Sequence, residues 1–273
     1  MKYFYLISSL SNIEIEDKAF SQDYLNELIE LIGRNLSEED LPIYQALLAP
    51  GDNQNLLYVL FREYHDFEIA RFKSPASIST DILENYRRNY AFLPDYMINY
   101  LDEYSGSFAT LSLREMEQYL DEYFHEHIIK LADPFLSTYY QWRIKLKRVI
   151  ADLNARSYPF LHTRNDVDER PFYDTKTLHG LTDFEDISNQ MLPLIESNDL
   201  EAIETKVNSY YWEFANCWQQ SFSAEQVFAY LVKIMRLHRW RGFVSKGGDA
   251  KMKFEKLIMD LKEKESSPKM PLI

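Results

Sequence analysis

The sequence predicts an all-α protein, a multi-helix bundle with at most a minor N-terminal strand. Three observations carry that expectation. Glycine is scarce, with 7 in 273 residues, where about 7% is usual. Tight hairpin turns and phosphate-cradling loops need backbone with positive φ, so this scarcity argues against sheets, doubly wound folds and barrels. Helix-start motifs recur along the chain, and apolar residues return every three or four positions with no convincing run of alternation.

Along the chain, Lys2–Leu10 reads as a strand or a short helix. Ser21 and Ser37 read as two N-caps, with Gly33 stopping the first helix and Pro50–Gly51 ending the second. Ser112–x–x–Glu115 is a capping box: the hydroxyl accepts a first-turn N–H while the carboxylate reaches back. The stripe Met116, Leu120, Tyr123, His127, Leu131 comes next. Asp133–Pro134 opens a helix to about Arg156, with Phe135, Tyr139, Trp142, Leu146, Val149 and Leu153 on one face. Val207, Tyr210, Tyr211, Phe214 and Trp218 mark a helix over 203–219. Ser223–x–x–Gln226 repeats the capping grammar before Val227, Tyr230, Leu231, Ile234 and His238.

Ser157–Thr182, with Pro159, Pro171 and Gly180, interrupts this order as a long connection. The punctuation suggests an N-terminal helical unit over 1–110, a central long-helix pair over 111–157 and a connecting loop over 158–182. A C-terminal helical unit over 183–265 and a tail over 266–273 complete it. A shift of 90 residues lays the second helix layout on the first, a repeated pattern of helices rather than a sequence repeat.

Charge is uneven. Residues 1–140 hold 24 acidic and 10 basic side chains, whereas 141–273 hold 19 and 20, for a net −13 overall. An acidic protein is repelled by nucleic acid and anionic lipid, while its basic C-terminal stretch suits an acidic partner. Cys217 is the single cysteine, so a disulfide framework within the chain is excluded, and a reducing cytoplasm is expected. The longest charge-free run near the start, Tyr3–Ile13, is too short for a span of about 20 residues.

Catalytic chemistry finds little footing. Gly247–Gly248 lacks the strand–loop–helix setting of a phosphate loop. Glu122–x–x–His125 has the spacing found in carboxylate-bridged di-iron bundles, but a second such motif is missing. His125 and His127 lie about 200° apart around a helix and do not share an ion. The acidic run Asn165–Glu169 lacks a partner cluster, and Cys217 sits on an apolar helix where a thiol behaves as a small hydrophobe. The expectation is a non-enzyme with no cofactor and no metal.

The run Phe222-Ser-Ala-Glu-Gln-Val-Phe-Ala-Tyr-Leu-Val-Lys233, then Arg239 and a glycine-bearing turn, resembles the C-terminal region of the C (or d) subunits of V-type and archaeal-type ATPases. The 113–156 helix pair resembles the repeated helical unit of the same family, and the opening Met1–Leu10 resembles a bacterial family of unknown function associated with such ATPases. One departure lies near Arg236–Leu237, where the family's usual glutamate is replaced. The resemblance implies two or three similar helical units around a concavity. It implies a non-catalytic adaptor at the cytoplasmic face, joining central-stalk subunits to the membrane rotor ring without a membrane span of its own. Arg236, Arg239, Arg241 and Lys246 are the expected contacts for an acidic partner. The rival expectations are a free-standing helical scaffold for a protein partner, and a helical metalloenzyme using Glu122 and His125.

Overall fold

The computed structural model describes residues 2–14, 20–66, 72–157, 181–219 and 222–244. The fold is all-α, as the composition predicted: ten helices and one 3₁₀ turn, with no strand among the described residues. The ambiguous N-terminal segment is helical, α1 (Phe4–Ser9).

The chain makes two compact units, one of Ile29–Ser137 and one of Met1–Leu28 with Thr138–Ile273. Both boundaries fall inside helices, α2 (Gln22–Asn35) and α7 (Pro134–Ser157). The division thus cuts across the consecutive blocks that loops and prolines suggested.

In the Ile29–Ser137 unit, three expected stops and starts move. Gly33 does not end α2, which runs on to Asn35. It serves close packing instead: a Cβ there would lie 2.9 Å from Cζ and Oη of Tyr44, whose hydroxyl donates to the Ile29 carbonyl at 3.1 Å. Ser37 does not cap α3 (Leu41–His65); its hydroxyl donates to Asp40 in the preceding turn, and Pro42 occupies the first turn. Pro50–Gly51 does not end α3, which continues through both residues to His65.

The reason lies in the polar residues just beyond Pro50. Asp52, Asn53 and Asn55 are buried, and each finds a partner outside the helix. Asp52 accepts from the backbone N–H groups of Ser77 and Ile78, both at 2.9 Å, and from the Ser77 hydroxyl at 2.7 Å. Asn55 Nδ2 donates to the Lys73 carbonyl at 3.0 Å while its Oδ1 accepts the Lys73 N–H at 2.6 Å. Tyr96 donates to Asn53 Oδ1 at 2.6 Å. Gly51 leaves room for this, since a Cβ would stand 2.1 Å from the Pro75 carbonyl oxygen. A proline in mid-helix removes one i→i−4 bond and clashes with the preceding turn; the tertiary bonds hold the helix together across that defect. A stretch that reads locally as a turn is a clasp gripping residues 73–78.

The rest of this unit is α4 (Thr80–Glu84), a 3₁₀ turn (Tyr90–Phe92), α5 (Asp95–Tyr104) and α6 (Leu113–Leu131). The predicted capping box is present: Ser112 Oγ accepts the Glu115 N–H at 3.3 Å and Glu115 accepts the Ser112 N–H at 2.8 Å. α6 buries Met116, Leu120, Phe124 and Ile128, and α5 buries Tyr96, Met97, Tyr100 and Leu101. The expected stripe therefore drifts after Leu120. A straight i+4 ladder replaces Tyr123 and His127 with Phe124 and Ile128, leaving the first pair half-buried.

α7 opens as predicted at the end of this unit, where Asp133 Oδ1 accepts the Leu136 N–H at 2.8 Å, and its remainder from Thr138 belongs to the other unit. Tyr139, Trp142, Leu146 and Leu153 are buried along it, while Val149 is half-buried. α8 (Phe184–Glu196) and α9 (Leu200–Asn216) start at the aspartate caps Asp183 and Asp199. α10 (Ala224–Val244) closes the described chain. Its expected capping box is displaced by one residue, since Gln226 Oε1 accepts the N–H of Phe222 at 2.8 Å instead of that of Ser223. Phe222 has φ 49°, which turns the chain into the helix. Trp142 meets Tyr211 edge-on at 4.8 Å and Phe214 nearly flat at 4.9 Å, so the core here is aromatic. No helix among the described residues is long and apolar enough to cross a membrane.

Candidate functional site

α9 and α10 pack against one another, and the spacing of their polar residues makes one connected cluster. Glu204, Asn208 and Tyr211 recur every three to four residues along α9 and share a face. Arg236 and Arg239 are one turn apart on α10. Arg236 donates to Asn208 Oδ1 through Nε at 2.9 Å and through Nη2 at 2.6 Å. Nη2 also reaches Glu204 Oε2 at 3.4 Å. Its guanidinium lies over the Tyr211 ring, 4.3 Å from the centroid, a cation–π contact strengthened by desolvation. Arg239 bonds the other Glu204 oxygen at 2.5 Å.

Burial decides what each arginine does. Arg236 is 7% exposed, and burial is the largest influence lowering its pKa, opposed in part by Tyr211, Glu204 and Tyr139. Arginine stays charged under such pressure, so Arg236 is a fixed internal cation tying α10 to α9. The Arg239 side chain is 63% exposed, so its bond to Glu204 lies at the surface. Tyr139, buried beside this cluster, has its phenol pushed up to about 12, chiefly by desolvation.

Residues 1–265 match the profile of a family described as protein of unknown function (DUF2764). The chain belongs to this family. No curated protein and no solved structure matches it.

The site residues foreseen from sequence in this DUF2764 chain separate into three kinds. Arg236 and Arg239 come together on Glu204, one as an interior tie and one at the surface. Arg241 is half-buried and also engaged. Lys246 lies outside the described residues, as do Gly247–Gly248 and the acidic run Asn165–Glu169. Glu122 and His125 are on α6, both half-buried and engaged. Among the described residues no three His, Cys, Asp or Glu side chains are grouped to hold a metal ion. Cys217 caps α9 and sends its thiol to the Glu213 carbonyl at 3.3 Å, with its pKa raised by burial first and Glu213 second. That suits an unreactive thiol.

Sequence reading missed Glu204 and Asn208. They are an unremarkable acid and amide beside the apolar stripe of the 203–219 helix, and only their i, i+4 spacing opposite two arginines could have flagged them. It also missed a cavity of about 270 Å³ between α5 and α6, lined by Asp95, Tyr96, Glu126, His127 and Lys130 among others. Tyr123 and His127, the two residues displaced from the predicted core stripe, face this space. His127 sits 5.0 Å from the Tyr96 ring, and burial lowers its pKa, with Asp95 opposing.

Proposed function

We propose that this protein is a non-catalytic coupling subunit of a V-type ATPase, joining central-stalk subunits to the membrane rotor ring from the cytoplasmic face. The observation that carries the reading is the stretch bearing the resemblance, Phe222–Lys233 with Arg239. From Ala224 on it lies in a single helix, α10, preceded by the Phe222–Gln226 bond and tied to α9 by Lys233, Arg236 and Arg239. A torque-bearing part needs helices that do not slide, and a buried guanidinium held by an amide, a carboxylate and an aromatic face resists sliding in every direction. The exposed arm of Arg239 is then the first contact for an acidic stalk or ring segment.

Gentle extraction of the tagged protein from its native host tests the reading. Rotor-ring or stalk subunits are expected to co-purify in fixed ratio, and Arg239→Glu is expected to weaken their recovery without unfolding the protein. Isolation of the protein with unrelated partners, or alone, under conditions that keep the host's V-type ATPase assembled would overturn it in favour of a free-standing helical scaffold.

A further inference from the structure

A second cavity, of about 250 Å³, lies within the unit that contains α10. One wall comes from the N-terminal segment, with Ile7, Leu10 and Ile13; the other includes Gln219, Gln226 and Lys233. The N-terminal wall is fixed in place. Tyr3 donates its N–H to the Phe222 carbonyl at 3.3 Å, and the Tyr230 hydroxyl donates to the Ser11 carbonyl at 2.7 Å.

Lys233 is the unusual member. It is 6% exposed, and an isolated buried ammonium is expensive unless paired. Among the described residues its contacts are Asn216 Oδ1 at 2.7 Å and the Trp212 ring at 5.8 Å. The same Asn216 oxygen accepts Gln219 Nε2 at 3.0 Å. An ammonium has three donors and an amide nitrogen two, so both groups keep N–H protons beyond this shared acceptor. Gln226 is oriented alike: its Oε1 is taken by the Phe222 N–H, which leaves its NH₂ to serve as donor. Burial lowers the Lys233 pKa, and no carboxylate among the described residues offsets it. Among the described residues the space is thus lined by donors and a positive charge on one side, by Ile7, Leu10 and Ile13 with Ser11 and Asn12 on the other, and by no acidic residue.

We propose that this cavity binds a carboxylate carrying a short apolar tail, with Lys233 as its counter-charge and the Gln219 and Gln226 amides as further donors. A single ammonium beside aliphatic side chains matches a singly charged head with a hydrocarbon tail better than a phosphate dianion, which calls for a fork of arginines or a cluster of cations. Such a head-group comes either from a free short-chain acid or from the C-terminus of a peptide. The assignment does not depend on the ATPase reading: Gln226 and Lys233 lie in the same stretch, but the assignment rests on the cavity they form with the N-terminal segment and Gln219, and on the shared acceptor Asn216.

Calorimetric titration of the full chain at neutral pH, with sodium hexanoate and with a short acetylated peptide ending in leucine as acid or amide, tests it. At least one free carboxylate is expected to bind in the millimolar range or tighter, with the peptide amide silent. Lys233→Met is expected to weaken that binding by about tenfold or more while the melting temperature holds or rises, because it removes an uncompensated buried charge. Gln226→Leu, a milder change, is expected to weaken it several-fold if Lys233→Met fails to fold. Hexanoate without the peptide acid identifies a small metabolite-like ligand; the peptide acid without hexanoate identifies a partner terminus. Absence of binding by both acids, equal binding of hexylamine, or affinity unchanged in the folded variants overturns the proposal.

Discussion

The two units each bury a charge, and they do it in opposite ways. In the Ile29–Ser137 unit the charge is an acid: Asp52, 1% exposed, held by two backbone N–H groups and a hydroxyl from residues 77 and 78. In the other unit the charges are bases, Arg236 and Lys233, held by side-chain amide oxygens and aromatic faces across two helices. Backbone N–H groups can only donate, so a loop wrapped on a helix naturally cradles an anion. Helix faces expose side chains, so a cation buried between helices must find its acceptors there. The difference teaches that the clasp depends on loop conformation, whereas the α9–α10 tie depends on register.

The largest effect is expected at the tie. Arg236→Ala removes a buried cation, strands Asn208 Oδ1 and leaves Glu204 to Arg239 alone, and should lower stability by about 4 kcal/mol. Urea denaturation followed by far-ultraviolet circular dichroism measures it; a loss below about 1 kcal/mol would show the cluster to be ornamental. Next is the clasp. Gly51→Ala places a Cβ against the Pro75 carbonyl, 2.1 Å away, so backbone must shift, at about 3 kcal/mol. A wild-type melting temperature in that variant would show that residues 73–78 give way freely.

The third prediction concerns pH. Burial raises the Asp52 pKa from 3.8 to about 6, against the pull of its three hydrogen bonds. The folded state therefore holds a proton that the unfolded state releases, and this contribution is fully present below the unfolded value and lost as pH rises through the folded one. Stability should fall by on the order of 2 kcal/mol from this group as pH rises from about 4 to about 6. Asp52→Asn should flatten that part of the profile, and an unchanged slope would sink the assignment. Lys233 runs the other way: burial lowers its pKa from 10.5, so its contribution is present above the unfolded value and lost as pH falls through the folded one. The smallest effect is expected at a partly exposed cap. Asp133→Ala deletes the bond to the Leu136 N–H and should cost about 1 kcal/mol, read as a modest shift in the denaturation midpoint.

Helix existence was legible because capping and periodicity are local. The Ser112 box, the Asp133 start and the aromatic faces of α7 and α9 all appear where side-chain spacing put them. The failures share one cause. Gly33, Pro50 and Gly51 were read by the effect of glycine and proline on an isolated chain, whereas here two glycines are contact surfaces for Tyr44 and Pro75. Asp52 and Asn55 looked like turn residues because short polar side chains favour turns; their partners lie 18 to 26 positions away, beyond any local pattern. The candidate site was half legible. A basic stretch was visible, but which of its members face inward depends on Glu204 and Asn208, more than 25 residues earlier.

The aromatic core around Trp142 has an optical consequence. All four tryptophans, 142, 212, 218 and 240, fall in the unit that holds α9 and α10, and Ile29–Ser137 contains none. Excitation at the red edge, where tyrosine is silent, therefore illuminates one unit and leaves the other dark. Emission at that wavelength reports the unfolding of the α9–α10 unit alone, while amide absorbance reports the helices of both. A lag between the two signals during denaturation would time-stamp the loss of one unit before the other in a single cuvette, without any label.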